Sequence, residues 1–367
     1  MPGSGPKVCI LHLRGIVSTL RVTLIAFGAV SVLVSQGTAA RVRQAADDPF
    51  AFFRPVVTVS PADRQRIDRG EVLARILPGR DGEVAVFAAS RFDGQPESLV
   101  HWTHAIEELK KGSFVQAIRR FSDPPVLSDL DGLVLDDVDL DAIRRCRSGS
   151  CGVKLSAEDI QSLRVAASAA GPEWKAAVQR EFRRVLFARV SRFHAEGVAA
   201  LPAYVDHSEP TLPRDVLAGI VDRSPYLRMH LPAIADGLLQ LPRAPLPATE
   251  SFLYWSKEYY GRGKPVIAVT QVHIVRPGGA PLPDVVVLGQ EVFASHYRNG
   301  SLGITAVVAG DGDARYLLYL NRSRLDALGG ILGGLKRSLL EGRLESEVKP
   351  TIAMVRRRLE SAGPYAP

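Results

Sequence analysis

The sequence predicts an α+β protein in which a curved antiparallel sheet closes on a C-terminal helix, with a large helical stretch inserted between the two halves of the sheet. Three observations carry this prediction. Strand-like runs at 266–275, 285–293, 302–308 and 315–320 are separated by Pro277-Gly-Gly, by residues 296–300 and by Gly310-Asp-Gly-Asp313, and such close spacing favours antiparallel neighbours. Residues 156–241 instead carry helix caps and apolar residues at helical period. After the strands, Leu325, Leu328, Leu332, Leu335, Leu339 and Leu340 recur at that same period. With 367 residues, 46% of them hydrophobic, the chain can bury a sizeable core and is not disordered by composition.

Residues 1–40 read as a secretory signal. Lys7, Arg14 and Arg21 occur without an acid, Val22–Val34 is uncharged and apolar, and Thr38-Ala39-Ala40 supplies small residues for cleavage after Ala40. The apolar run is shorter than the roughly 20 residues that span a bilayer. The mature chain is therefore expected in the periplasm or outside the cell, the alternative being an uncleaved N-terminal anchor. Without the leader the formal charge falls from +7 to +4. The remaining basic residues are dispersed, and no zinc-finger spacing or RNP-like aromatic motif occurs, so nucleic-acid binding is not expected.

Residues 41–70 are rich in Arg and Asp, contain Pro55 and Pro61, and read as a loosely structured segment. Residues 71–155 form the first part of the α+β domain. Strands 71–77 and 83–92 flank the turn Pro78-Gly79-Arg80-Asp81-Gly82, a helix runs from Pro96 to Lys111, and a further strand covers 114–121. Asp129-Leu-Asp131-Gly132 has the opening of a calcium loop, but the later oxygen ligands and closing Glu are missing, so 122–141 reads as a solvated strand-and-turn segment. Residues 156–247 are the helical insertion. Ser156 caps its first helix, and a long basic amphipathic helix follows from Pro172 to Glu196; such a helix usually covers a core, though it can also lie on an anionic membrane. Pro242–Thr249 is the best linker, and 248–367 complete the domain with strands and the terminal helix, which Asn321-Arg-Ser323 is expected to cap and Lys349-Pro350 to interrupt.

Outside the leader two cysteines remain, Cys146 and Cys151. In an oxidising compartment they can close a small disulfide loop over Ser148-Gly149-Ser150; reduced thiols and a redox pair are the other readings. Gly329, Gly330, Gly333 and Gly334 interrupt an otherwise good helix at about 1 kcal/mol each. Their spacing suits either tight helix-on-sheet packing or a hollow that a ligand fills. Tyr254-Trp255-Ser256-Lys257-Glu258-Tyr259-Tyr260 is the densest aromatic–polar cluster, able to hold an apolar ligand with one hydrogen-bonding head. His273 lies on a strand, and His296-Tyr297 follows a strand end where polar groups often rim a pocket. His101 and His104 share one side of a helix but lack the partners of a metal site. No metal or cofactor is expected, and no Gly-x-Ser-x-Gly nucleophile motif occurs.

The order of elements, from strand 83–92 and the helix at 96–111 through the antiparallel run to the terminal helix, resembles the helix-grip order of START-like (SRPBCC) lipid-binding and polyketide-cyclase-type domains. The likeness covers roughly 71–136 and 252–345, and residues 156–241 would be an insertion. The chain also resembles uncharacterised exported bacterial proteins through Tyr254-Trp255-Ser256-Lys257-Glu258 and Tyr319-Leu-Asn321-Arg-Ser323-Arg. The strand run, the Gly-rich helix and the 254–260 aromatics, behind the leader, point to an exported carrier of a hydrophobic small molecule or lipid, without catalysis. Its candidate ligand-binding residues are Tyr254, Trp255, His273, His296, Tyr297, Gly330 and Gly333. Two other classes compete: a periplasmic hydrolase or cyclase using His273, His296, Tyr297 or Glu258 in a cleft, and a cell-envelope scaffold. The oligomeric state is not legible from the sequence.

Overall fold

β-Branched and aromatic residues concentrate in eight runs that pair into one sheet: β1 (Leu73–Leu77), β2 (Glu83–Arg91), β3 (Val115–Arg120), β4 (Thr249–Glu258), β5 (Val266–Val275), β6 (Val285–Ala294), β7 (Arg298–Ala309) and β8 (Arg315–Leu325). The computed structural model describes residues 48–80, 82–112, 114–239, 249–259, 263–278, 282–328, 347–361 and 363. Every neighbouring pair is antiparallel, in the order β1-β2-β8-β7-β6-β5-β4-β3. The meander β4–β8 is thus flanked by strands from the first third of the chain: β3 on β4, and β2 on β8. The protein is α+β with an eight-stranded antiparallel sheet.

Helices cover both faces. They are α1 (Pro61–Asp68), α2 (Pro96–His104), α3 (Ile106–Leu109), α4 (Asp137–Arg145), α5 (Ala157–Ala169), α6 (Trp174–Glu196), α7 (Pro213–Asp222), α8 (Pro225–His230), α9 (Pro232–Leu239) and α10 over 347–359. Side chains alternate across a strand. Leu253, Trp255, Val269, Leu288, Ile304 and Leu318 therefore join Phe182, Leu186 and Ile220 in the main core on one face. Phe252, Val272, Val287, Val307 and Leu317 meet Leu99, Trp102, Val355 and Leu359 on the other. Residues 157–239 are thus a covering layer for one face of the sheet, which is why their outer sides stay polar.

Several expectations are corrected. The segment 41–70 is not loosely structured where it is described. Phe50, Phe52 and Phe53 are buried, with ring centroids of Phe50 and Tyr316 5.1 Å apart and of Phe53 and Tyr226 5.0 Å apart, and Ser60 caps α1 by accepting from the Asp63 amide at 3.1 Å. The apolar rings outweigh the surrounding Arg, Asp and Pro. The helix expected from Pro96 to Lys111 breaks at Ala105, which leaves the helical region with ψ 47°. The acidic stretch contains helix α4, because Leu140 and Ile143 sit at helical spacing against the core. Asn321-Arg-Ser323 is not a helix cap: it continues β8, paired with β2 and β7, because two partner ladders outweigh local capping chemistry. Residues 347–359 stay helical through Lys349-Pro350. Cys146 and Cys151 form a disulfide at the end of α4. The leader, the Pro242–Thr249 linker up to residue 248, and the four glycines at 329, 330, 333 and 334 lie outside the described residues.

Candidate functional site

The sheet face covered by α2, α3 and α10 changes chemistry along its strands. At one end it is filled by the apolar contacts above. Toward the other end the same alternation presents Tyr254, Ser256 and Glu258 on β4, Thr270 on β5, Glu291 on β6, Arg298 and Ser301 on β7, and Tyr319 and Asn321 on β8. These residues, with Lys110 just after α3, line a cavity of about 50 Å³. That is room for roughly three to five water-sized groups. Two glycines help to make it: Gly289 on β6 stands directly opposite Gly303 on β7, and both line the space. A Cβ on Gly303 would come within 3.4 Å of Asn321 Nδ2, so side chains here would fill the hollow.

Charge is held inside by pairing. Lys110 Nζ donates to Glu258 Oε1 and, at 3.3 Å, to the Tyr254 hydroxyl; Ser256 Oγ donates to the same Glu258 oxygen at 2.7 Å. Burial works against the charge on Lys110, yet Glu258 and Tyr254 beside it carry its pKa above the ordinary value. Tyr254 and Tyr319 are held in their neutral forms, their pKa values raised first by burial. Arg298 Nε donates to Glu291 Oε2 at 2.6 Å, and both side chains are buried, 6% and 7% exposed. The second Glu291 oxygen, Oε1, is buried without a hydrogen-bond partner among the described residues. Burial outweighs Arg298 and raises the Glu291 pKa. Asn321 Nδ2 donates to Ser301 Oγ at 3.0 Å, and Ser323 Oγ donates to Asn321 Oδ1 at 2.7 Å, completing a polar wall.

Lys110 is placed by the end of the chain. Arg358 of α10 donates to the carbonyls of Leu109 and Lys111, each at 2.6 Å, so a cation caps the C-terminal end of α3 and holds the turn that carries Lys110.

The residues singled out from sequence fall in different places. Tyr254 lines the cavity. Trp255, one residue on, points to the opposite face, where its ring is core and its Nε1 donates to the Asp129 carbonyl at 2.8 Å. His273 also avoids the cavity; burial pushes its pKa down to about 4, and its Nδ1 has no hydrogen-bond partner among the described residues. His296 is buried against Asp139, Nε2 to Oδ1 3.0 Å, an arrangement that, with Lys264, holds the Asp139 carboxyl below its ordinary pKa despite burial. Tyr297 turns the chain between β6 and β7 with φ 65°, and its hydroxyl accepts from the Lys264 amide at 2.8 Å. Gly330 and Gly333 lie outside the described residues.

Lys110, Glu291, Arg298, Gly289 and Gly303 were not singled out. The signal available was a Gly-Gln-Glu interruption, 289–291, in an otherwise apolar strand.

The alternative metal positions have other uses. His104 Nε2 pairs with Glu250 at 2.9 Å. Asp129 accepts from Ser122 and Val126, local bonds that hold its pKa low against burial. Among the described residues, Asp206, His207 and Asp326 bring ligand-type atoms within 4.8 Å of one another. Lys154 Nζ already sits on two of them, 3.0 Å from Asp206 Oδ2 and 2.8 Å from Asp326 Oδ1, and supplies the positive charge itself.

No family model matches this chain, and no curated protein matches it. Among solved structures, the di-domain ARO/CYC BexL from the BE-7585A biosynthetic pathway is similar at 10% identity with a TM-score of 0.21, over 85% of this chain and 94% of that one. A likeness at that level carries no argument about fold or activity.

Proposed function

We propose that this chain is an exported small-molecule-binding protein that holds the polar end of an amphipathic ligand in the pocket between β4–β8 and Lys110, and carries the ligand without transforming it. The observation that supports this most is the pocket itself: two opposed strand glycines leave a hollow, and the hollow is lined by paired charges, hydroxyls and an amide. A protein interior normally fills such space with side chains, and two buried ion pairs are costly to maintain for stability alone. The apolar cavity expected under Gly329–Gly334 would lie beyond the described residues, so the ligand's apolar part is assigned there only as part of this proposal. The helix-grip arrangement belongs to the same reading; of its expected helix over 323–345, residues 329–345 lie outside the described residues, and the following helix α10 packs on β2 and β8 through Val348 and Ile352. Export is supported by the leader's three-part grammar and by the disulfide.

A second reading, an acid–base enzyme, is favoured by one observation, the Glu291 oxygen without a partner among the described residues on a side chain that lines the cavity.

Native mass spectrometry of the purified protein, paired with solvent extraction, tests the binding reading. Wild type is expected to carry an extractable molecule, and Gly289→Val, which fills the hollow with a strand-compatible side chain, is expected to fold and lose it. A wild-type protein that is empty, and stays empty when incubated with a fatty-acid and sterol mixture, refutes the reading.

A further inference from the structure

We propose that the pocket takes the carboxylate end of its ligand, with Glu291 Oε1–H donating to that carboxylate and one proton taken up on binding. The inference rests on the reading that this pocket binds a small molecule. Its geometry is a buried carboxyl on a side chain that lines a cavity sized for a carboxylate, with one oxygen committed to Arg298 and the other without a partner among the described residues. An orphaned, buried, charged oxygen is expensive, and it can be satisfied in two ways: by a ligand that donates to it, or by a proton that lets it donate.

Charge balance chooses between them. The lining contains Lys110 and Arg298 against Glu258 and Glu291. An ammonium group brought to ionised Glu291 would leave a net positive charge buried. With Glu291 protonated, the lining already carries one surplus positive charge, and a ligand carboxylate cancels it. A carboxyl–carboxylate contact is also the strong, short kind of hydrogen bond.

The groups acting on Glu291 are accounted for from each side. Arg298 of β7 opposes protonation, and so does Lys154 at longer range; Glu258 of β4 favours it. Tyr254 and Tyr319 are neutral, and Tyr204, whose pKa burial pushes up to about 12, is neutral as well. Lys110 is committed to Glu258. Burial and Glu258 prevail, and the Glu291 carboxyl is the group free to exchange a proton with the ligand.

The test is a calorimetric and ligand-detected NMR titration of the full chain with acetate, octanoate, ethanol and ethylamine between pH 5.5 and 8.5. Above the Glu291 pKa, each carboxylate is expected to bind with uptake of one proton, read from the dependence of the heat on buffer ionisation. Its affinity should fall about tenfold per pH unit once the pH exceeds the Glu291 pKa. Glu291→Gln, a permanently neutral donor, should bind acetate with an affinity that no longer changes with pH. Octanoate binding far more tightly than acetate identifies an amphipathic acid as the source of the carboxylate, and equal binding identifies a free small acid; both support the proposal. Acetate binding that takes up no proton at any pH from 5.5 to 8.5 and keeps a constant affinity overturns it. Binding of ethanol or ethylamine in preference to acetate also overturns it while leaving the pocket a binding site. Failure of every probe, together with an empty protein in native mass spectrometry, removes both readings.

Discussion

Glu83 offers the clearest test of the physical account of this fold. Its side chain is completely buried, and it takes two arginines: Arg322 Nη1 on Oε1 at 2.5 Å and Arg223 Nε on Oε2 at 2.6 Å. Arg322 is 4% exposed and Arg223 28% exposed, so on Glu83→Ala the second can turn toward water while the first cannot. Removing one partner of a buried pair costs roughly 3–5 kcal/mol because a charge is left stranded, and relief of Arg223 places this case near 3 kcal/mol. Unfolding entropy near 2 cal/mol/K per residue gives about 0.6 kcal/mol/K for a folded part of about 300 residues, hence a Tm loss of about 5 °C. Urea denaturation followed by tryptophan fluorescence would measure it. Glu71→Ala is the control, since its pairs with Arg66 and Arg69 are at the surface and exposed charge pairs contribute about 0.5 kcal/mol or less. Replacing the charges together, as Glu83→Leu with Arg322→Met, should recover most of the loss. A Glu83→Ala protein within 1 kcal/mol of wild type, or a double variant worse than the single one, would refute the stranded-charge reasoning.

Other outcomes follow from the same structure. Phe53→Ala should cost about 3–5 kcal/mol in urea denaturation, because the ring is buried against Phe87 and Tyr226; a neutral result would return the 48–70 segment to the periphery. Replacing both Cys146 and Cys151 by Ser should cost about 2 kcal/mol, the loop-closure value for so short a ring, and adding reductant to wild type should reproduce that loss. His273 is kept neutral in the folded chain down to about pH 4, whereas the unfolded chain binds a proton near 6.5. Its contribution is therefore complete above about pH 6.5 and is lost as the pH falls toward 4. His273→Gln should flatten that part of the stability profile, and an unchanged slope between pH 7 and 4.5 would contradict the burial argument.

How much of this was legible in the sequence differs from element to element. Strands β5 and β6 could be placed nearly to the residue, because their β-branched runs end at Pro, Gly and polar turns. The Ser156 cap was readable too, since its side chain accepts from Asp159 three residues on, a purely local bond. Asn321 and Ser323 carry equally good capping chemistry, yet they lie in the middle of β8, because the deciding partners are β2 and β7, far away in sequence. Trp255 and Tyr254 looked equivalent as ligand contacts. Adjacent strand residues face opposite layers, and nothing local says which layer holds the cavity.

The amino-acid order by itself determined many of the secondary-structure runs and favoured the antiparallel connectivity of the last strands and a disulfide between Cys146 and Cys151, since each depends on residues a few positions apart. The pocket is another matter. Lys110 meets Glu258 across 148 positions of sequence, and Arg358 steadies the Lys110 turn from 249 positions beyond its Leu109 carbonyl. Periodicity announces that a strand has two faces but carries no information about what covers each of them. That assignment comes only when the whole chain packs, because burying a charge is tolerable solely where a distant partner arrives to meet it.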